Sequence, residues 1–255
     1  MTVVITMAGM GSRFKERGYR LPKFRIAARG RALIEWSLLS LQAFFEQRFV
    51  FVCLAEESEE WITSTAIALG ITNCIVAKRP SVSRGQAETA FDALMHVDWS
   101  QPLWIYNIDT YVVPGVMRPQ EMGAAAGCIP VFQCSESNMS FVCHGSGNDV
   151  IEIAEKRPIS RWATVGLYGF SSTASFSECY EETYELGGLR ATHAERYVAP
   201  VYERMLVRGE RIVAPRLESG NVNVLGTPDQ VLNFDPAALP PFGNSACLTE
   251  SNPRL

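Results

Sequence analysis

Two glycines around a single residue, with an arginine behind them and a Pro-Lys pair further on, suit one kind of chemistry: gripping a chain of phosphates. Gly9-Met10-Gly11-Ser12-Arg13 joins backbone freedom to a place just after the β-branched run Val3–Met7, so its amide groups can aim at phosphate oxygens. Arg13 and then Lys23 can add two fixed positive charges. A Walker loop, GxxxxGK[ST], is absent, and a dinucleotide fingerprint needs a third glycine where Phe14 stands, which disfavours a nicotinamide-dependent oxidoreductase. An ordinary glycine turn remains the plain alternative for the loop taken alone. A second chemistry lies at Asp109, which ends the run Pro102–Ile108 (PLWIYNI). A carboxylate on a strand tip can hold a hard cation such as magnesium, or merely form a turn.

The elements that would carry these groups alternate. Val3–Met7, Arg48–Leu54, Asn73–Ala77 and Pro102–Ile108 read as buried strands. Ala32–Phe45, Glu56–Leu69 and Ser83–His96 read as the helices between them. Such alternation predicts an α/β fold with a parallel sheet, whose ligands sit at the carboxyl ends of strands. After Asp109 the pattern turns to short strand candidates at Ala124–Gln133, Phe141–His144, Val150–Ala154 and Ala163–Phe170, an added, partly antiparallel region able to lid the sheet. Helices are expected at Phe176–Leu186 and Ala194–Arg208, and a strand at Arg211–Pro215. Residues 1–235 read as one domain, and 236–255, rich in Pro, Asn and Ser, as an irregular tail.

Composition narrows the function. With 255 residues, 47% of them hydrophobic, the chain can bury one sizeable core. A net charge of -4 gives no positive field for nucleic acid; the basic stretch Arg13–Arg31 has the scale of one polyphosphate. Seven scattered cysteines without a CxxC pair argue for reduced thiols, against a disulfide framework or a zinc site. Three distant histidines make a histidine metal site improbable. No apolar run approaches about 18 residues and no leader precedes the first strand, so a cytoplasmic chain without a membrane partner is expected. Homo-oligomerisation stays open.

Five elements, in order, resemble one family. Ala8-Gly9-Met10-Gly11-Ser12-Arg13 followed by Leu21-Pro22-Lys23 is similar to the GxGxR…PK opening of the sugar-phosphate nucleotidylyltransferases. Gly85-Gln86-Ala87-Glu88-Thr89-Ala90 resembles the segment beside the nucleotide base, and Asn107-Ile108-Asp109 the strand end with the metal-binding aspartate. Glu155-Lys156-Arg157-Pro158 with Val165-Gly166-Leu167-Tyr168 resembles the elements lining the sugar-phosphate pocket. Gly226-Thr227-Pro228-Asp229 resembles the closing GTPE. The resemblance implies an α/β, mostly parallel Rossmann-like sheet flanked by helices, with a small antiparallel substrate-binding subregion, glycosyltransferase-A-like. It implies an enzyme of the EC 2.7.7 type that transfers NMP from a nucleoside triphosphate to a phosphorylated small molecule, such as a sugar or alditol phosphate, and releases pyrophosphate. Surface-polysaccharide synthesis is the associated process.

Roles follow residue by residue. Ala8, Gly9, Met10, Gly11, Ser12, Gly85 and Gln86 would bind the nucleotide, while Arg13, Lys23 and Asp109 would be catalytic. Glu155, Lys156 and Gly166 would bind the acceptor, Gly166 being small so that the acceptor can approach the backbone. Asp109 would ligate Mg2+. Many family members carry a second aspartate before the closing GT. Here the stretch is Ser219-Gly220-Asn221-Val222-Asn223-Val224-Leu225, which leaves Asn223, or Asn221, as a neutral oxygen. Weaker metal affinity, a ligand elsewhere such as Glu218, or a non-catalytic nucleotide-binding regulatory relative are the alternatives. The glutamine that some members carry before the base segment has no counterpart, Arg79 lying roughly there.

Overall fold

A computed structural model describes residues 1–186 and 195–238. The first half alternates as expected: β1 (Thr2–Thr6), α1 (Ser12–Glu16), the short hairpin strands β2 (Ala27–Ala28) and β3 (Arg31–Ala32), α2 (Leu33–Leu39), β4 (Arg48–Leu54), α3 (Glu59–Ala68), β5 (Cys74–Arg79), α4 (Gln86–Asp92) and β6 (Leu103–Asn107). The second half adds β7 (Thr110–Val112), β8 (Gly127–Cys128), β9 (Val131–Gln133), β10 (Ser140–His144), β11 (Val150–Glu155), β12 (Trp162–Thr164) and β13 (Leu167–Phe170). α5 (Thr173–Tyr184), α6 (Ala199–Val207), β14 (Ile212–Val213), β15 (Val222–Val224) and α7 (Pro228–Phe234) follow.

The main sheet has the order β14-β8-β13-β6-β1-β4-β5. β1, β4, β5 and β6 are mutually parallel, β13 runs against both β6 and β8, and β14 is parallel to β8. The sheet is therefore mostly parallel with one reversed strand among the described residues, and helices cover both faces. A four-stranded antiparallel sheet, β11-β10-β12-β9, stands beside it. One core holds Val3, Ile5, Phe51, Trp104 and Tyr106 on one face; a second holds Val4, Val50, Ile105 and the inner residues of α4, α5 and α6 on the other. Val3, Val4 and Ile5 are all 0% exposed, so the centre of β1 is apolar on both faces between its terminal threonines; each such side chain contributes about 1.5–3 kcal/mol by leaving water.

Several expected elements are shorter or divided. The helix expected over Ala32–Phe45 stops at Leu39, because Ser40 Oγ bonds back to the Trp36 carbonyl (3.2 Å) while accepting the Val112 N–H (2.8 Å). The helix expected from Ser83 starts at Gln86, since Gly85 is held at φ 144° against Arg196. The apolar runs Ala124–Gln133 and Ala163–Phe170 each divide between the two sheets, at Ile129-Pro130 and at Val165-Gly166, so β8 and β13 join the main sheet instead of forming a lid, and β14 from the expected strand Arg211–Pro215 pairs with β8 at its edge. The helix expected from Ala194 begins at Ala199. Ala194 itself, and the expected irregular tail from residue 239 onward, lie outside the described residues. No helix among the described residues is long and apolar enough to cross a membrane.

Candidate active site

The phosphate loop is anchored from behind. α1 buries one side chain, Phe14, which packs edge-on against Tyr19 at 5.4 Å, so Arg13 on the other side is exposed and makes no ion pair among the described residues. Gly11 opens the helix in the left-handed region, φ 59° and ψ 30°, a conformation that costs a side-chain-bearing residue roughly 1–2 kcal/mol. The N–H groups of Gly9, Met10 and Gly11 have no backbone acceptor among the described hydrogen bonds, which leaves them free for an anion.

Lys23 enters from a single 3-10 turn set by Pro22. A Cβ built on Gly11 would lie 3.6 Å from Lys23 Cβ, and Lys23 Nζ donates to Asp109 Oδ2 at 2.6 Å. Gly11, Lys23 and Asp109 therefore share one place, with the cation and the carboxylate only 18% and 28% exposed. Asp109 sits between β6 and β7, and its carbonyl accepts the Leu225 N–H at 2.7 Å, which brings the closing Gly226-Thr227 beside it. β15 pairs with β7 so that Asn223 faces Tyr111 and Val224 faces Thr110. The Asn223 side chain makes no hydrogen bond among the described residues, so the ladder brings it into the neighbourhood of Asp109 without showing a shared ligand. Among the described residues no three His, Cys, Asp or Glu side chains cluster to hold a metal. The Asp109 carboxylate, with any neutral amide oxygen beside it, would offer hard oxygen donors of the type that suits magnesium.

On the other side of the loop, the Ser83 N–H donates to the Ala8 carbonyl at 3.5 Å, placing the base segment against the phosphate loop. Gly85 and Gln86 are fixed there because the Arg196 backbone bonds both Arg84 (2.6 Å) and Ala87 (3.0 Å). Gln86 Nε2 is buried with no acceptor, a donor left for a ligand. Arg79 is engaged by Asp92 (2.8 Å) and Glu88 (3.5 Å), both on α4, so it braces the helix. Burial raises Glu88, but the Arg84 N–H and guanidinium, helped by Arg79, outweigh it and hold the carboxyl below its usual range.

The expected acceptor residues divide. Glu155 accepts from Ser140 Oγ at 2.5 Å. Tyr168 shares hydrogen bonds with Ser140 and Thr164; burial, then Glu155, and more weakly Asp109, push its phenol up to about 12, against those bonds. It is thus a neutral donor that feels both carboxylates. Lys156, at φ 52°, donates instead to Tyr197 and lies 3.5 Å from Glu195, with no contact to Lys23 or Asp109 among the described residues. Gly166 has a local reason to be small. Its φ is 85°, and a Cβ there would lie 2.0 Å from Asn107 Nδ2; the Asn107 amide fills the space assigned to an approaching acceptor. Asn107, Tyr168, Tyr197 and Gln230 enter this surrounding without having been singled out from the residues. Asn107, within the Asn-Ile-Asp element, and Tyr168, within the Val-Gly-Leu-Tyr motif, carried a signal; Tyr197 and Gln230 did not.

The solved structure of the nucleoside-diphosphate-sugar pyrophosphorylase from Vibrio cholerae RC9 is similar to this chain at 32% identity and a TM-score of 0.84, over 91% of this chain and 98% of that one. The inositol-1-phosphate CTP transferase from T. maritima is similar in fold, at 16% identity and a TM-score of 0.72, over 90% of each chain. No protein-family model and no curated protein sequence matches.

Proposed function

Since the chain belongs to the sugar-phosphate nucleotidyltransferases, as 32% identity across nearly its whole length shows, we propose that it transfers a nucleoside monophosphate from a triphosphate to a sugar or alditol phosphate. An acceptor phosphate oxygen forms the new bond to the α-phosphorus as the bond to the β-phosphate oxygen breaks, and pyrophosphate leaves. Both partners are anions, so the chain's work is to neutralise repulsion and hold the line of attack. The free amides of Gly9, Met10 and Gly11, with Ser12 and Ala8, cradle the phosphates. Exposed Arg13 stabilises the charge gathering on pyrophosphate. Gln86 offers its unpaired amide donor to the base beside Gly85. Lys23 leaves Asp109 to span the α-phosphate and the incoming phosphate, and Glu155 and Lys156 hold the acceptor. When bound at Asp109, magnesium would supply further positive charge to the phosphates. A cytoplasmic place supplying activated units for surface polysaccharide accords with this reading.

The observation that carries the reading is the 2.6 Å pair of Lys23 and Asp109 beside Gly11. The missing second carboxylate favours a rival, a regulatory relative that binds nucleotide without turnover. Purified protein with magnesium, each common triphosphate and a panel of sugar and alditol phosphates is expected to release pyrophosphate with one pairing. Tight nucleotide binding with no release from any pairing would establish the rival.

A further inference from the structure

Gly226 keeps a small volume clear between two oxygens. A Cβ built on it would sit 3.4 Å from Asp109 Oδ2 and 3.5 Å from Gln230 Oε1, so both oxygens border the same space. Asp109 Oδ2 holds the Lys23 ammonium. Gln230 Oε1 is buried and accepts no hydrogen bond, an arrangement that is costly unless something else satisfies the oxygen.

The direction of that oxygen is fixed. Gln230 Nε2 donates to Glu136 Oε2 at 2.8 Å; flipping the amide would set its oxygen against a carboxylate, with no proton between them. Nor does the helix use it. Thr227-Pro228-Asp229-Gln230 spells a capping box, in which the glutamine oxygen would accept the Thr227 N–H. Only half of the box forms: the Gln230 N–H reaches Thr227 Oγ1 at 3.2 Å, while the side chain is drawn across to Glu136.

We propose that Gln230 Oε1 is the neutral oxygen that joins Asp109 in holding the divalent cation, directly or through one of its retained waters, in place of the absent second carboxylate. The inference rests on the reading of Asp109 as the metal aspartate. Glutamine carbonyls are ordinary ligands for hard cations, and Glu136 gives this one the outer partner that such ligands need to stay oriented.

The test is Mn2+ alone, titrated into the full chain without nucleotide and followed by electron paramagnetic resonance. Gln230→Met, close in length but without the oxygen, is expected to weaken Mn2+ binding about tenfold. The exchange Gln230→Glu with Glu136→Gln keeps the bond between the two side chains and places an ionised oxygen at the site; it is expected to bind roughly tenfold tighter than the unmutated chain. Unchanged affinity in Gln230→Met, no tightening in the exchanged pair, or loss with Asn223→Leu alone overturns the proposal, and should Gln230→Met fail to fold, the exchanged pair decides. Asp109→Asn separates the two levels: if it leaves Mn2+ binding intact the metal role of Asp109 fails, whereas if it abolishes binding and Gln230→Met does not, only Gln230 is excluded.

Discussion

Replacing Lys23 by methionine is expected to move turnover and metal affinity in opposite directions. The ammonium lies 2.6 Å from Asp109 Oδ2 with both side chains largely out of water, so a cation that takes this oxygen must push it aside. At a separation of about 5 Å, a unit charge opposes a divalent ion by roughly 1–2 kcal/mol even in a water-like medium. Lys23→Met should therefore tighten Mn2+ binding about five- to thirtyfold. The same change removes the charge that neutralises the two reacting phosphates, and turnover should fall about 10²- to 10³-fold. Stability should drop by only about 1–2 kcal/mol, between the values for exposed and for fully buried pairs. Mn2+ titration, pyrophosphate release and urea unfolding on one preparation read all three quantities. Weaker Mn2+ binding, or near-normal release, would refute the account of Lys23 as a cation shared between Asp109 and the substrates.

Gly166→Ala should cost about 2–4 kcal/mol, from its left-handed φ of 85° and from overlap with the Asn107 amide; adding Asn107→Ala should recover part of the lost thermal stability, and no recovery would remove Asn107 as the cause. His144 is held below its ordinary value by burial, with Arg216 adding to this and the Ala214 carbonyl opposing it. The folded chain thus prefers the neutral ring, so the stability due to His144 is present above the unfolded value of about 6.5 and declines as pH falls below it. His144→Phe should flatten the dependence of the urea midpoint between about pH 7 and pH 5, and an unaltered slope would contradict this. Burial raises the thiol of Cys53 to about 11 and that of Cys179 to about 12, so iodoacetamide on the native protein at neutral pH should leave both unmodified; alkylation of either, mapped by mass spectrometry, would mean that the core opens.

The strands and Asp109 could be read from the chain because their signal is local: Pro102–Ile108 is one apolar run followed by the carboxylate of Asp109, and burial on both faces of residues 103–106 leaves little freedom in its letters. α1 could not, since it is five residues long with one buried anchor, Phe14. The division of Ala163–Phe170 was hidden because Gly166 reads like any strand glycine until Asn107 is seen beside it. Gly11, Lys23 and Asp109, each notable by its type, lie together in the fold. Lys156 illustrates the opposite case. Its partners Tyr197 and Glu195 come from a distant segment, and no spacing rule connects them. Gln230 carries no such signal, since its letters fit a helix cap; only geometry shows that the oxygen is left over.

The division of those two runs also determines what the small sheet can do. β8 passes to β9 through Ile129-Pro130, and β12 passes to β13 through Val165-Gly166. The two crossings bond to each other, the Val165 N–H donating to the Pro130 carbonyl at 3.1 Å. On one side of this bond β13 pairs with β8 in the main sheet; on the other β12 pairs with β9 in the small one. A single antiparallel ladder is thus bent across both sheets, and a hinge there would have to break it. Glu155 on β11 is consequently held in fixed relation to Asp109, through β10, β12 and β13, and Tyr168 feels both carboxylates at once. On the proposed function, rearrangement on binding substrate would fall to single side chains: Lys23 exchanging Asp109 for phosphate, and Lys156 exchanging Tyr197 and Glu195 for the acceptor. Such exchanges would replace one set of charge pairs by another, and the ladder of β8, β9, β12 and β13 would not have to break for them to occur.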